Sequence, residues 1–158
     1  MKNVYDKVAE IRTAQPMPQK LFAGGKIASP STISPEPLET ILGVKGQAKD
    51  GMFKIVIGRP ASMHGISVGK EMGVNTWAAF AGSNDEAIVD GDFAMTENEL
   101  QTVLKKMRKE GINVVAIHHH MTQEEPRILF LHYWGKGKAA ALAQSVKNAL
   151  GAQAEVAR

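Results

Sequence analysis

Four histidines lie close together in the sequence, and imidazole is a side chain that binds metal ions and transfers protons. His118, His119 and His120 are consecutive, and His132 follows in the next apolar segment. The chain has 158 residues and no cysteine, which excludes disulfides, thiolate nucleophiles and cysteine-based zinc sites. Histidine, aspartate and glutamate are therefore the side chains from which a metal site would be built.

The spacing of the three consecutive histidines predicts that they do not all face the same way. They end an apolar segment with the composition of a β-strand, and the side chains of a strand alternate between its two faces. His118 and His120 should then share a face with Val114 and Ala116. His119 should point to the opposite side.

A hairpin would bring the fourth histidine to this face. Residues 122–126 form a short connection between the two apolar segments. Antiparallel pairing through that loop places His132 directly opposite or diagonal to His118, about 4.5–8 Å away. Glu124, in the loop, is the nearest carboxylate in the sequence that could complete a site.

These residue types suit a divalent transition-metal ion, and zinc is the ion we expect first. We predict four ligands, which are His118, His120, His132 and Glu124. Glu124 would serve either as a ligand or as the general base. If water keeps one position, its pKa falls toward about 7 and hydrolysis becomes feasible. If protein groups fill every position, a sensing, storage or structural role is favoured, so enzyme activity stays open.

Two further residues are candidates near this site. His64 lies in a glycine-rich loop, where it would either complete the metal site from across the sheet or close a turn. Arg127 follows the predicted site directly, and a guanidinium can clamp a phosphate or carboxylate with two hydrogen bonds. An ion pair with Glu124 or Glu125 is the alternative for Arg127.

A second pair of carboxylates occurs at Asp90-Gly91-Asp92. Asp-Gly sequences favour positive φ, so we predict a tight turn or bulge here rather than a ligand site.

Other readings of the histidines remain open. In a metal-free binding module, the histidines and Arg127 would hold an anionic small molecule. In a protein–protein module, the proline-rich segment 13–37 would fold onto a partner or a tandem copy. The histidines could also be purely structural.

The elements that position these residues follow from the apolar periodicity. Strands are predicted over residues 52–59, 74–83, 86–96, 112–121 and 127–134. The two main helices follow the third and the fifth of these strands. The order β-β-β-α-β-β-α predicts an α+β fold, with an antiparallel or mixed sheet of about five strands and two main helices packed on one face.

The helix ends have recognisable signals. Thr96 and Glu99 have the spacing of a capping box, and Gly111 should end that helix. The alanine-rich helix that closes the chain should end at Gly151. A smaller helix should begin after Ser34, as its N-cap, and end at Gly43.

The whole chain predicts one domain. Residues 34–151 form the α+β unit, residues 1–33 an irregular arm with a short helix at 5–12, and residues 152–158 a tail. The net charge is only +3 and the lysines are dispersed, which argues against nucleic acid as a partner. The sequence contains no apolar run of about 18 residues, so it predicts no membrane span.

Several segments together resemble a known family. The stretches "GVNTWAAFAGS", "AIVDGDF" and "EEPRILFLHYWGKGKAAALAQSVKNAL" are similar to the LppY/LpqO family, a bacterial domain of unknown function named after mycobacterial lipoproteins. The resemblance covers roughly residues 40–150. Its distinctive motif falls on His118, His120, Glu124, Pro126, Arg127 and His132, and it implies a lesser role for His119.

The resemblance also bears on location and partners, although it implies no established activity. Longer members carry two such domains in tandem, so a tandem copy or a homo-oligomer is an expected partner. Members often carry export signals, which implies the periplasm or cell envelope. This chain shows no signal peptide, so the cytoplasm stays open.

Overall fold

The computed structural model describes residues 2–14, 27 and 29–156. Its strands are β1 (Gln47–Lys49), β2 (Met52–Gly58), β3 (Ala61–Met63), β4 (Ile66–Val68), β5 (Asn75–Gly82), β6 (Ala87–Thr96), β7 (Asn113–His118), β8 (Glu124–Glu125) and β9 (Ile128–Gly137). Its helices are α1 (Lys2–Ala14), α2 (Pro35–Leu42), α3 (Glu97–Lys109) and α4 (Ala139–Val156), with a short 3-10 turn at Lys70–Met72. The predicted α+β fold is confirmed.

The main sheet has six antiparallel strands in the order β1-β2-β5-β6-β9-β7. All five predicted strands belong to it, and β1 is added at one edge. Two chain-distant strands, β6 and β9, are neighbours in this sheet and pair over ten residues. This pairing decides which side chains meet on each face.

The two faces of the sheet have different surroundings. Along β5, buried and half-buried residues alternate strictly, as expected for a strand with one covered face. Ala78 and Phe80 face the helices, while Trp77 and Ala79 lie on the other side, which we call the open face. Helices α2, α3 and α4 pack on the covered face, so side chains on the open face lie opposite the helix layer.

A second, three-stranded sheet covers one end of the open face. Its order is β4-β3-β8, and it uses the short strand formed by Glu124 and Glu125. A small apolar cluster lies beneath it, built from Ala61, Val68, Val74, Ala94, Ile128 and Phe130. The predicted loop between β7 and β9 therefore contains a short strand, β8, that pairs with β3 and fixes the position of the loop.

The helix boundaries agree with most of the sequence signals. Gly43 ends α2 with a left-handed φ of 71°, and Gly111 follows α3 with a φ of 79°. Thr96 and Glu99 form the predicted capping box, in which the Thr96 N–H donates to Glu99 Oε2 over 2.9 Å. Ser34 stands at the N-cap of α2, but its Oγ accepts a hydrogen bond from Asn84 Nδ2 instead of capping the helix.

The predicted end of the last helix at Gly151 is wrong, because α4 continues to Val156. The extra turn is held by Gln153, which is buried and donates from Nε2 to the Ala94 carbonyl over 3.0 Å and to Glu99 Oε2 over 2.8 Å. A tertiary contact thus outweighs the helix-ending tendency of glycine. Residues 152–156 belong to the helix and not to a tail.

The N-terminal arm contains a longer helix than predicted. The short helix expected at residues 5–12 is part of α1, and none of the residues of α1 is buried. The rest of the proline-rich arm, residues 15–26 and 28, lies outside the described residues. None of the helices that the structure describes is both long enough and apolar enough to cross a membrane.

Candidate metal centre

The carboxylate at the centre of the site belongs to Asp92, in the middle of β6. Asp92 is paired with Trp77 on one side and with His132 on the other, so these three side chains share the open face. The turn or bulge predicted at Asp90-Gly91-Asp92 is wrong, because β6 runs through it in unbroken register. The sequence pattern therefore did not predict the carboxylate of the candidate site.

Glycine is required at position 91 by side-chain packing and not by a turn. A Cβ atom at this position would come within 2.3 Å of the Tyr133 hydroxyl oxygen and 2.5 Å of the Trp77 carbonyl oxygen. The ring of Tyr133 fills that space, and its hydroxyl donates to the same carbonyl over 3.0 Å. The glycine therefore allows β6 to pack closely against Tyr133 and the Trp77 carbonyl.

His118 and His132 meet on the open face as the hairpin prediction required. His118 pairs with Phe130 and His132 pairs with Ala116, so the two histidines are diagonal neighbours. Their rings are stacked, with centroids 4.8 Å apart and planes 16° apart.

A β-bulge in β7 sets the direction of His118. Val114 is opposite Tyr133 and Ala116 is opposite His132, so Val115 is an extra residue between two consecutive pairs. The prediction that Val114 and Ala116 share a face is wrong, because the bulge moves the later residues by one position. Bulges commonly redirect a side chain beside a functional site.

The imidazoles and the carboxylate come close enough to share an ion. The Nε2 atoms of His118 and His120 are 3.0 Å apart. Asp92 Oδ2 lies 3.7 Å from His120 Nε2, and Asp92 Oδ1 lies 3.8 Å from His132 Nδ1. One ligand atom each from Asp92, His118 and His120 can be chosen so that all three lie within 4.8 Å of one another. The structure thus contains a candidate Asp/His metal-binding triad.

The carboxylate beside these imidazoles is buried, although the histidines themselves are partly exposed. Asp92 is only 3% exposed, and its Oδ1 atom has no hydrogen-bond partner among the described residues. Burial raises the pKa of Asp92, and the three nearby imidazoles oppose that rise. Burial also lowers the pKa of His120, although the neighbouring Asp92 raises it in part. A neutral imidazole is the form that binds a metal.

The ring of His120 is held in place by an aromatic neighbour. It stacks on Phe130, with centroids 3.5 Å apart and planes 11° apart. Phe130 is 1% exposed and packs in the apolar cluster under the small sheet. The small sheet therefore supports the orientation of a candidate ligand.

His119 and Glu124 lie together at the start of β9, where both contact the backbone of Ile128. The Nδ1 atom of His119 is 3.0 Å from the Ile128 carbonyl oxygen, a distance at which its N–H can donate. The buried Glu124 carboxylate accepts the Ile128 N–H over 3.2 Å and lies 3.9 Å from His119 Nδ1. Glu124 was expected at the metal site, but pairing of β8 with β3 holds it here, and Asp92 is the carboxylate beside the imidazoles.

The two remaining candidates also lie away from the triad. Arg127 is exposed and lines a concavity with Glu97, His119 and Leu129. His64 is exposed in the turn between β3 and β4, with a left-handed φ of 52°. The expected turn role of His64 agrees with this placement, whereas the structure does not bring it to Asp92.

One sequence signal would have found Asp92. In "AIVDGDFAM", Asp90 and Asp92 alternate with Val89, Gly91 and Phe93, which is the period of a strand with one apolar face. Two carboxylates on the polar face of a strand are candidates for a site once that strand has a histidine-bearing neighbour. The neighbour, however, is not specified by the local sequence.

Fold and site together define an α+β domain with an Asp/His group on the open face of its sheet. Residues 36–152 match the model of the family described as "Domain of Unknown Function (DUF1259)", and the chain belongs to that family. The narrower LppY/LpqO resemblance stays a prediction. No curated protein matches the chain, and no solved structure does.

Proposed function

We propose that this protein binds a divalent transition-metal ion, zinc first, between Asp92, His118 and His120. The observation that carries the proposal is the Asp92 carboxylate, which is 3% exposed and has an oxygen without a hydrogen-bond partner among the described residues. Burying a carboxylate without compensation is costly, and such groups in native proteins usually have a functional reason. A bound cation would offset this cost.

The ligand atoms need little rearrangement to meet one ion. Zinc binds imidazole nitrogen at about 2.0–2.1 Å, so the two ligating nitrogen atoms of a tetrahedral site lie about 3.3 Å apart. The two Nε2 atoms of His118 and His120 are 3.0 Å apart. His132 lies beside the other oxygen of Asp92, where its imidazole would orient the carboxylate rather than bind the ion.

Three protein ligands leave a position for water, which supports metal-dependent hydrolysis as the chemistry. The side chains of His120 and His132 are 38% and 41% exposed, so water and a small substrate can reach the site. A metal ion of this kind lowers the pKa of bound water toward about 7 and makes hydroxide available at neutral pH. Glu124, beside His119, has no part in this scheme.

The test is elemental analysis and zinc titration calorimetry on untagged protein purified without chelator. We expect about one ion per chain, release of protons on binding, and a rise in Tm with added zinc. The His118→Ala/His120→Ala double variant should lose the ion. His132→Gln should bind it about 10- to 100-fold more weakly, as is usual when a group that orients a ligand is removed.

Two variants serve as matched controls. His119→Ala changes the residue between the two ligands, and His64→Asn keeps a side chain that tolerates positive φ. Both should retain zinc at the wild-type affinity. Protein that binds none of Zn²⁺, Mn²⁺, Fe²⁺, Ni²⁺ and Cu²⁺, or a double variant that binds as well as wild type, would show the proposal to be wrong.

A further inference from the structure

A basic concavity lies on the same side of the sheet as the candidate metal centre. It is formed by the start of β1, by β2 and by the 3-10 turn, and we call it the lysine pocket. Its lining residues are Lys45, Gly46, Gln47, Lys54, Val56 and Lys70. Three lysines thus line one depression.

Two of the three lysines of this pocket have no ion pair among the residues that the structure describes. Lys45 forms an ion pair with Glu39 over 2.6 Å. Neither Lys54 nor Lys70 has a carboxylate within ion-pair distance among the residues that the structure describes. Two uncompensated cations that line one depression favour an anion there.

Trp77 links the lysine pocket to the metal centre. Lys54 Nζ lies 4.4 Å from the centroid of the Trp77 ring, a cation–π contact that holds the ammonium group in place. Trp77 is paired with Val56 of the pocket on one side and with Asp92 on the other. Adjacent strands are about 4.8 Å apart, so the pocket and the triad are separated by on the order of 10 Å along the open face.

We propose that the lysine pocket binds the phosphate group of a small phosphomonoester whose other end reaches the metal centre. A phosphate dianion suits several lysines, which act on it as point charges. The separation of the two sites corresponds to a ligand of the size of a sugar phosphate. The position of the ligand's other end rests on the proposed metal site. Binding of the phosphate group rests on the lysine pocket alone.

The experiment is calorimetric titration of the zinc-loaded and the zinc-free full chain with glucose 6-phosphate as the probe. Glucose, its uncharged counterpart, should not bind. Removing one exposed positive charge weakens the binding of an anion by about three- to fivefold. Lys54→Gln and Lys70→Gln should therefore each raise the Kd for glucose 6-phosphate by that factor. Added NaCl should weaken binding, because it screens exposed charges.

Further variants separate the pocket from general surface charge. Lys105→Gln removes an exposed lysine from α3, on the helix side of the sheet, and should leave the Kd unchanged. Trp77→Leu keeps every charge but removes the contact that positions Lys54, so it should weaken glucose 6-phosphate binding without altering its salt dependence. Zinc should tighten the binding of glucose 6-phosphate to the wild-type chain.

The outcomes distinguish the two proposals. If glucose 6-phosphate does not bind, or binds Lys54→Gln and Lys70→Gln as tightly as wild type, the inference is overturned even where zinc binds normally. If zinc does not bind but the two lysine variants weaken the probe, the phosphate site stands and the metal proposal fails. Equal binding of glucose and glucose 6-phosphate would also overturn the inference.

Discussion

At the scale of single residues, Asp92 shows a conflict between fold stability and the proposed metal binding. Its carboxylate is buried among imidazoles, and burial raises its pKa above the ordinary value of 3.8. For an acid with a raised pKa, the ionised form destabilises the folded state at every pH above the folded-state pKa. This cost disappears as the pH falls below the ordinary value. In the metal-free protein at pH 7, the ionised carboxylate therefore lowers the free energy of unfolding.

Replacing Asp92 by the isosteric Asn should separate the two properties. We expect Asp92→Asn to abolish zinc binding, while the metal-free variant unfolds at the same temperature as wild type or a higher one. Zinc titration and thermal unfolding with and without zinc measure both effects. Asp90→Asn, an exposed neighbour on the same face of β6, is the control and should bind zinc normally. A metal-free Asp92→Asn protein with a clearly lower Tm would contradict this account.

At the scale of elements, two glycines illustrate opposite uses of a missing side chain. Gly91 in β6 is required, because a Cβ atom would overlap Tyr133 and the Trp77 carbonyl. Gly151 lies inside α4, and a Cβ atom there would have no described atom within 4 Å beyond its chain neighbours and the backbone of its own helix. The sequence suggested a turn at the first glycine and a helix end at the second. Packing accounts for Gly91, and α4 simply continues past Gly151.

These two positions predict opposite effects of the same substitution. Gly91→Ala should destabilise the fold by about 1–3 kcal/mol through overpacking, and it should weaken zinc binding because β6 carries Asp92. Gly151→Ala should stabilise the fold by about 0.5–1 kcal/mol, because alanine is the better helix former. Urea unfolding monitored by circular dichroism gives both values. A destabilising Gly151→Ala would argue that the helix ends at Gly151 after all.

At the scale of the whole molecule, a buried polar network joins distant segments. Arg59, between β2 and β3, donates to Glu99 over 2.7 and 3.1 Å. Glu99, in the first turn of α3, is 2% exposed, and it also accepts from Gln153 of α4 over 2.8 Å and from the Thr96 N–H. Burial alone would raise the pKa of Glu99, but these hydrogen bonds outweigh it and lower the pKa below the ordinary 4.5.

The network predicts an acid-dependent contribution to stability. A carboxyl group with a lowered folded-state pKa stabilises the fold fully above the ordinary value, and that contribution is lost as the pH falls through the folded-state pKa. Glu99→Gln should therefore cost about 2 kcal/mol or more at pH 7, since it leaves the partly buried Arg59 side chain without its charged partner. The difference from wild type should shrink below about pH 4.5.

Chemical unfolding across this pH range measures the difference. Glu97→Gln, at an exposed position in the same helix turn, is the control and should change stability little at any pH. A stability difference between Glu99→Gln and wild type that does not vary between pH 7 and pH 3 would contradict the role assigned to the Glu99 charge.

Much of this molecule is determined by its local sequence. Period-two patterns predicted the five long strands, because alternation follows from the geometry of an extended chain. The capping box at Thr96 and the glycines after α2 and α3 predicted helix ends, because those signals satisfy backbone groups within a few residues. The hairpin between β7 and β9 predicted that His118 and His132 meet, because only a short loop separates them.

Only the tertiary structure decided the composition of the site. Asp92 reaches the imidazoles because β6 is the neighbour of β9, and strand order depends on long-range pairing that a local pattern does not encode. Glu124, nearer in sequence, is held away by pairing of β8 with β3. The bulge at Val115 likewise depends on the register against β9. Sequence periodicity gives each side chain a face, whereas the choice of neighbouring strand is made by the packing of the whole chain.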